Sequence, residues 1–178
     1  LFRSPWRKTL SQLDGKKIAI TGAAGGIGTL LCRALKKEGA MIVGIDRVDC
    51  PEADQSVLAD LGSFDGITAL GEKLGGMSVD MLVNLAGIQY FGPFHEQSPE
   101  NLWAGYVINL IAPVMLSRAA LPSMRARGDG RIVNIGSVFG AIPFAHFVSY
   151  SSAKAGLKGF SQADRKSTRL NSQSLAYL

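Results

Sequence analysis

The run Lys17-Ile-Ala-Ile-Thr21 passes directly into Gly22-Ala-Ala-Gly-Gly-Ile-Gly28, and this junction restricts the fold more than any other stretch. A short apolar, β-branched run bounded by glycines reads as a buried parallel strand. Ile27, Leu30, Leu31, Ala34 and Leu35 then recur at helical spacing, with Gly39 placed as a left-handed terminator. Met41 to Ile45 is a second apolar strand, closing on Asp46. Strand, helix and strand in this order make a βαβ unit. Its glycine turn lets backbone N–H groups approach an anion at the positive end of the helix. The spacing Gly22-x-x-x-Gly26-x-Gly28 differs from the common Gly-x-Gly-x-x-Gly, so that fingerprint is matched only in kind.

The alternation continues. Val57 to Ala59 is expected as a third strand leading to Asp60, and Ile67, Leu70 and Leu74 as a weaker helix interrupted by Gly66 and Gly71. Val79 to Val83 follows as a fourth strand, running into Asn84-Leu85-Ala86-Gly87. Ser98-Pro99-Glu100 reads as an N-cap with proline in the first turn, opening a long helix to Met124 that Pro113 should bend or split. Arg131 to Ile135 is the fifth strand and delivers Gly136 and Ser137. The expected fold is α/β, a Rossmann-type doubly wound parallel sheet with ligands at the strand carboxyl ends. With 178 residues, 47% hydrophobic and 19% charged, the chain suits one soluble domain.

Two groups of residues suggest chemistry at that end of the sheet. Asp46 is placed to accept hydrogen bonds from an adenosine ribose and to repel a 2′-phosphate, which favours NAD over NADP, although Arg47 beside it could pair with such a phosphate. Asp60 either reaches the adenine edge or caps its own turn. Tyr150 and Lys154 lie one helical turn apart and so share a face. A cation beside a phenol favours the phenolate, which suits proton exchange with a substrate oxygen, and Ser137 could hold that oxygen.

Taken in order, Thr21-Gly22-x-x-x-Gly26-x-Gly28, Asp60, Asn84-x-Ala86-Gly87, Asn109, Ser137 and Tyr150-x-x-x-Lys154 resemble the short-chain dehydrogenase/reductase family over roughly residues 10–163. Leu85 departs from the family's Asn-Asn-Ala-Gly turn. The resemblance implies NAD(P)-dependent hydride transfer between nicotinamide and a carbonyl or secondary alcohol. Tyr150 would be the general acid/base and Lys154 the group that lowers its pKa and holds the nicotinamide ribose. Ser137 would orient the substrate oxygen, and Asn109 would hold a water linking Lys154 to solvent. The implied cofactor contacts are Gly22, Gly26, Ile27, Gly28, Asp46, Asp60, Leu61, Asn84, Ala86 and Gly87, with Tyr150 and Lys154. A homodimer or homotetramer, pairing through helices near 99–124 and 147–163, is implied for the intact protein. The alternative is a nucleotide-binding regulator without chemistry, against which Ser137, Tyr150 and Lys154 argue.

Other classes find less support. The net charge of +5 comes from scattered basic residues, which argues against nucleic acid. No apolar run is expected to span a membrane, and Leu1 to Lys8 lacks the apolar core of a signal peptide. Cys32, read as a core residue, and Cys50 make no disulfide framework, so a reduced cytoplasm is expected. His95 and His146 are isolated, and no metal is implied. Gln89, Phe139, Ile142, Phe144 and Phe147 lie beyond strand ends, where they could line an apolar substrate pocket. From Asp164 the amphipathic pattern is lost, and Asp164 to Ser172 resembles translated sequencing-adapter DNA. We therefore expect residues 1–163 to be a truncated catalytic domain and 164–178 a non-native tail. On that reading about five strands are present, the fifth is an uncovered edge, and the polypeptide as written is poorly soluble with little or no activity.

Overall fold

Six parallel strands run in the order β3-β2-β1-β4-β5-β6. They belong to a computed structural model that describes residues 13–167 and 171–175, so the opening segment Leu1 to Lys8 lies outside the described residues. The elements are β1 (Lys17–Thr21), α1 (Gly26–Lys37), β2 (Met41–Asp46), β3 (Gln55–Leu58), α2 (Phe64–Met77) and β4 (Met81–Asn84). After them come α3 (Pro99–Tyr106), a π-helical turn (Val107–Ile111), α4 (Ala112–Arg127), β5 (Arg131–Ile135), α5 (Val148–Ser167) and β6 (Asn171–Leu175). The doubly wound parallel architecture is the expected one, with β3 and β4 displaced by about two residues from the sequence reading.

Period-2 alternation divides the strands between two cores. Ala19, Val43, Leu82 and Ile132 face α2 and α4, whereas Ile18, Ile20, Ile42, Val83 and Val133 pack with Cys32 on the α1 side. Cys32 is fully buried, as read. The buried face of α1 is nevertheless turned from the expected one. Gly28 and Cys32 face inward, while Ile27 and Leu30 are 58% and 64% exposed. The cause is Gly28, which lets the helix come down onto the glycine turn along its own side.

Gly66 and Gly71 do not interrupt α2. Ser63 caps it by accepting the Gly66 N–H at 3.0 Å. Gly71 gives room for α4, since a Cβ there would stand 3.2 Å from the Ala119 Cβ. The α3–α4 helix, Pro99–Arg127, is 29 residues long and passes the length and apolarity test for a membrane span, contrary to expectation. Ala112, Leu116, Ala120 and Met124 along it are fully buried, so here its apolar stripe forms the core. Pro113 neither splits nor ends this helix. The turn before it widens to π geometry instead.

The fifth strand is not an open edge. The backbone of Asn171–Leu175 runs parallel to it, pairing Arg131 with Asn171 and Ile135 with Leu175. A bare strand edge offers a row of N–H and C=O groups to any extended segment that the preceding helix returns to it. Elsewhere, register aligns the ends of three central strands: Thr21 pairs with Asn84, and Asn84 with Asn134. The turns that follow therefore emerge side by side.

Candidate active site

The turn after β1 is held by the turn after β4. The Thr21 hydroxyl accepts the N–H groups of Leu85 and Ala86, both at 3.1 Å. Gly22 has φ +72°, and a Cβ on it would stand 2.9 Å from the Ala86 Cα. Only glycine satisfies both the left-handed backbone and this approach. Gly28 is equally constrained, because a Cβ there would overlap the Gly22 carbonyl. At Gly26, the first residue of α1, nothing lies within 4 Å of where a Cβ would stand. Open space thus adjoins unpaired backbone N–H groups at the positive end of a 12-residue helix with no acidic residue in its first turn. This cradle fits a pyrophosphate.

A cleft of about 460 Å³ lies beside it, lined among others by Asp46, Arg47, Asp60, Leu61, Ala86 and Gly87. One Asp46 carboxylate oxygen accepts the Ala24 N–H at 3.1 Å and the other accepts the Arg47 N–H at 2.7 Å. The carboxylate therefore stands at the junction of turn and cleft. Asp60 is exposed and caps its own turn, accepting the Gly62 N–H at 2.9 Å. Asn84 is not among the cleft residues. It is 2% exposed and donates to Asn134 Oδ1 at 2.8 Å and Ser117 Oγ at 3.3 Å, while Asn134 donates to Ser161 Oγ at 2.9 Å. Its amide belongs to a buried polar ladder tying β4 and β5 to α4 and α5.

Two further predicted residues, Lys154 and Asn109, border Gly87, and Tyr150 lies beside Lys154. Lys154 is 4% exposed, and its ammonium donates to the Ile135 carbonyl at 2.8 Å. It also stands 5.7 Å from the centre of the Tyr150 ring, within cation–π range. Burial pushes the Lys154 pKa down from 10.5 to about 8. Asn109 is fully buried, and its amide nitrogen donates to the carbonyls of Ile88 at 2.7 Å and Gly105 at 2.8 Å. That leaves its Oδ1 without a partner. A Cβ added to Gly87 would lie 2.9 Å from this oxygen and 3.7 Å from the Lys154 nitrogen, so both polar groups border the space that the missing side chain leaves open.

Ser137 reaches the same neighbourhood from β5. It is 7% exposed and accepts the Phe139 N–H at 3.2 Å, capping the short 3-10 turn Val138–Gly140. That turn lies against the backbone of α5. A Cβ at Gly140 would stand 2.7 Å from the Lys154 carbonyl carbon. The sequence reading missed Gly140, and also the Ile135 carbonyl that fixes Lys154. A glycine three residues beyond Ser137 was the available signal. Phe139, Phe144 and Phe147 are grouped beside Tyr150, whereas Gln89 and Ile142 are exposed. Burial raises the pKa of both thiols, Cys32 and Cys50, which keeps them in the weakly nucleophilic form.

Comparison with known proteins gives the family. The family model described as short chain dehydrogenase matches residues 16–170, so the likeness begins and ends slightly later than the motifs suggested. Ketoacyl reductase HetN of Nostoc sp. is 33% identical over 171 residues, covering 88% of this chain and 60% of the relative. Nodulation protein G of Rhizobium sp. is 37% identical over 164 residues, covering 85% and 66%. A metagenomic short-chain oxidoreductase crystallised in complex with NADP superposes with a TM-score of 0.83 at 32% identity, covering 91% and 81%. The chain belongs to the short-chain dehydrogenase family. It spans about six tenths of the length of the ketoacyl reductase.

Proposed function

We propose that the protein is an NAD(P)-dependent oxidoreductase acting on a carbonyl or secondary alcohol, with Tyr150 as general acid/base. The observation that carries this reading is that the unpartnered Asn109 Oδ1 and the ammonium of buried Lys154, which lies one helical turn from Tyr150, border the same side-chain-free space at Gly87. A buried amide oxygen without a partner is costly, and a water held between it and the ammonium satisfies both. A nicotinamide cofactor, when bound, supplies or accepts the hydride. The chain's own residues do the rest. Gly22, Gly26 and Gly28 leave room for its phosphates, Ser137 holds the substrate oxygen, and Tyr150 gives that oxygen a proton or removes one. Lys154 keeps a positive charge beside the phenol, and Asn109 connects the ammonium to solvent for proton exchange.

Asp46 favours NAD over NADP, because its carboxylate sits at the mouth of the adenosine cleft, where a 2′-phosphate would meet like charge. Free, buried thiols suit a reducing cytoplasm. Pairing into a homodimer or homotetramer is supported by an apolar groove of about 640 Å³ between α2 and α3–α4, where Phe64 and Trp103 are 69% and 67% exposed.

The test is Tyr150→Phe in the full-length protein. Cofactor binding, read by NADH fluorescence, should persist while turnover falls at least a hundredfold, the usual scale of a lost general acid/base. Retained turnover removes Tyr150 from the role. A Kd for NADPH below that for NADH overturns the reading of Asp46.

A further inference from the structure

The two loops beside Tyr150 carry aromatic rings and no formal charge. We propose that they form a prebuilt recognition wall for a neutral substrate bearing an aryl group, and that they discriminate against carboxylates. The inference rests on the oxidoreductase reading of the same site and specifies its substrate class.

Residues 88–94, Ile-Gln-Tyr-Phe-Gly-Pro-Phe, and 137–148, Ser-Val-Phe-Gly-Ala-Ile-Pro-Phe-Ala-His-Phe-Val, contain no Asp, Glu, Lys or Arg. Phe147 is the hub of the wall. Its ring centre lies 5.0 Å from that of Phe91, 4.9 Å from Phe139 and 6.4 Å from Tyr150, the last at an interplanar angle of 62°. Phe139 stacks on Phe144 at 5.4 Å and 14°. The aromatic surface therefore continues up to the ring proposed to carry the proton.

The wall is also held in shape. The Gly92 N–H donates to the His146 carbonyl at 3.1 Å, and the Phe91 ring meets the His146 ring at 5.6 Å and 70°. His146 has φ +66°, a left-handed conformation that a non-glycine residue adopts at a cost. Contacts between the loops hold it there. Phe91 and Phe144 remain 64% and 58% exposed, so these rings are not used up by the core.

Chemistry selects the occupant. An aryl ring can join such an array at the offset or edge-on geometries that phenyl groups prefer. A carboxylate entering the same space would lose hydration and find no cation in either loop. The nearest ammonium, Lys154, is buried and already donates to Ile135.

Ligand-observed saturation-transfer NMR on the 178-residue chain tests the proposal, using acetophenone and acetoacetate, each with and without NADH. Acetophenone should give a signal and acetoacetate none. Phe147→Ala should weaken acetophenone binding roughly three- to tenfold, the worth of an aromatic pair. Phe144→Ala, at an exposed ring, should weaken it by a smaller factor without touching the fold. Equal signals from the two ligands, no acetophenone signal, or unchanged binding in the Phe144→Ala variant would each overturn the wall. NADH fluorescence on the same samples separates the two readings. Cofactor binding without an aryl signal sinks only the wall, whereas absent cofactor binding strikes the oxidoreductase assignment and leaves the aryl signal to be judged alone.

Discussion

Replacing Lys154 with methionine should make the protein more stable at neutral pH and less stable at high pH. The ammonium is 4% exposed and hydrogen-bonded to one carbonyl, and burial alone depresses its pKa from 10.5 to about 8. A displacement of that size corresponds to roughly 3 kcal/mol of differential interaction between the two protonation states. For a depressed lysine the unfolded chain holds its proton at pH values where the folded chain has lost it. The burial penalty is therefore fully present below about pH 8 and is relieved as pH rises towards the unfolded value. Methionine fills similar space without charge, at the loss of one hydrogen bond worth about 1 kcal/mol. The variant should gain about 2 kcal/mol at neutral pH, or about 4–8 °C in Tm for a chain of this size. It should fall about 1 kcal/mol behind once the wild-type amine is neutral. Urea denaturation followed by far-UV circular dichroism, repeated across that pH range, measures both curves, which should cross. Parallel curves would refute the claim that desolvation governs this lysine. If Lys154 serves the proposed chemistry, turnover should fall while stability rises, the usual exchange between stability and activity.

Two further substitutions separate folding from binding. Gly26→Ala should leave Tm unchanged, since nothing occupies the space its methyl would enter, yet weaken NADH binding at least tenfold. Gly22→Ala should instead destabilise the fold by about 2 kcal/mol or more through its left-handed φ and the Ala86 contact. Equal effects on Tm from the two variants would contradict the cradle. His146→Val should cost about 1–2 kcal/mol because a β-branched residue resists φ +66°, whereas His146→Asn should be nearly neutral by thermal melting.

The β1 junction was legible because each local rule pointed the same way: β-branched residues, then glycine, then helical spacing. Ser137, Tyr150 and Lys154 were legible as residues; the structure sets Lys154 beside the Tyr150 ring and puts the turn after Ser137 against the backbone of α5. The misread face of α1 has a physical cause. Periodicity identifies an apolar stripe but not its partner, and close approach at Gly28 turns Ile27 and Leu30 outward. Asn84 was placed at the cofactor by its motif, yet strand alternation puts it on the same face as Leu82, towards α4. Period-2 counting could have shown this. The pairing of Asn171–Leu175 with β5 was invisible to a reading that sought amphipathic pattern, because backbone hydrogen bonds at an edge demand little of side-chain identity.

Pro113 reads as a fault in a helix, and the structure shows what that fault does. Proline lacks the N–H that would bond the Asn109 carbonyl, and its ring crowds that carbonyl in a regular α-helix. The Val107–Ile111 turn relieves the crowding by widening, so that the Ala112 N–H reaches back five residues to the Val107 carbonyl. Asn109 sits in the middle of this widened turn. Its amide nitrogen is taken up by the Gly105 carbonyl one turn back and by the Ile88 carbonyl beyond β4, which fixes the amide plane and leaves Oδ1 at the open space beside Gly87 that the Lys154 ammonium also borders. A regular helix would present a different set of backbone acceptors to that nitrogen. The orientation of the orphaned oxygen, on which the proposed proton path depends, thus traces to a proline four residues away that never touches the cleft.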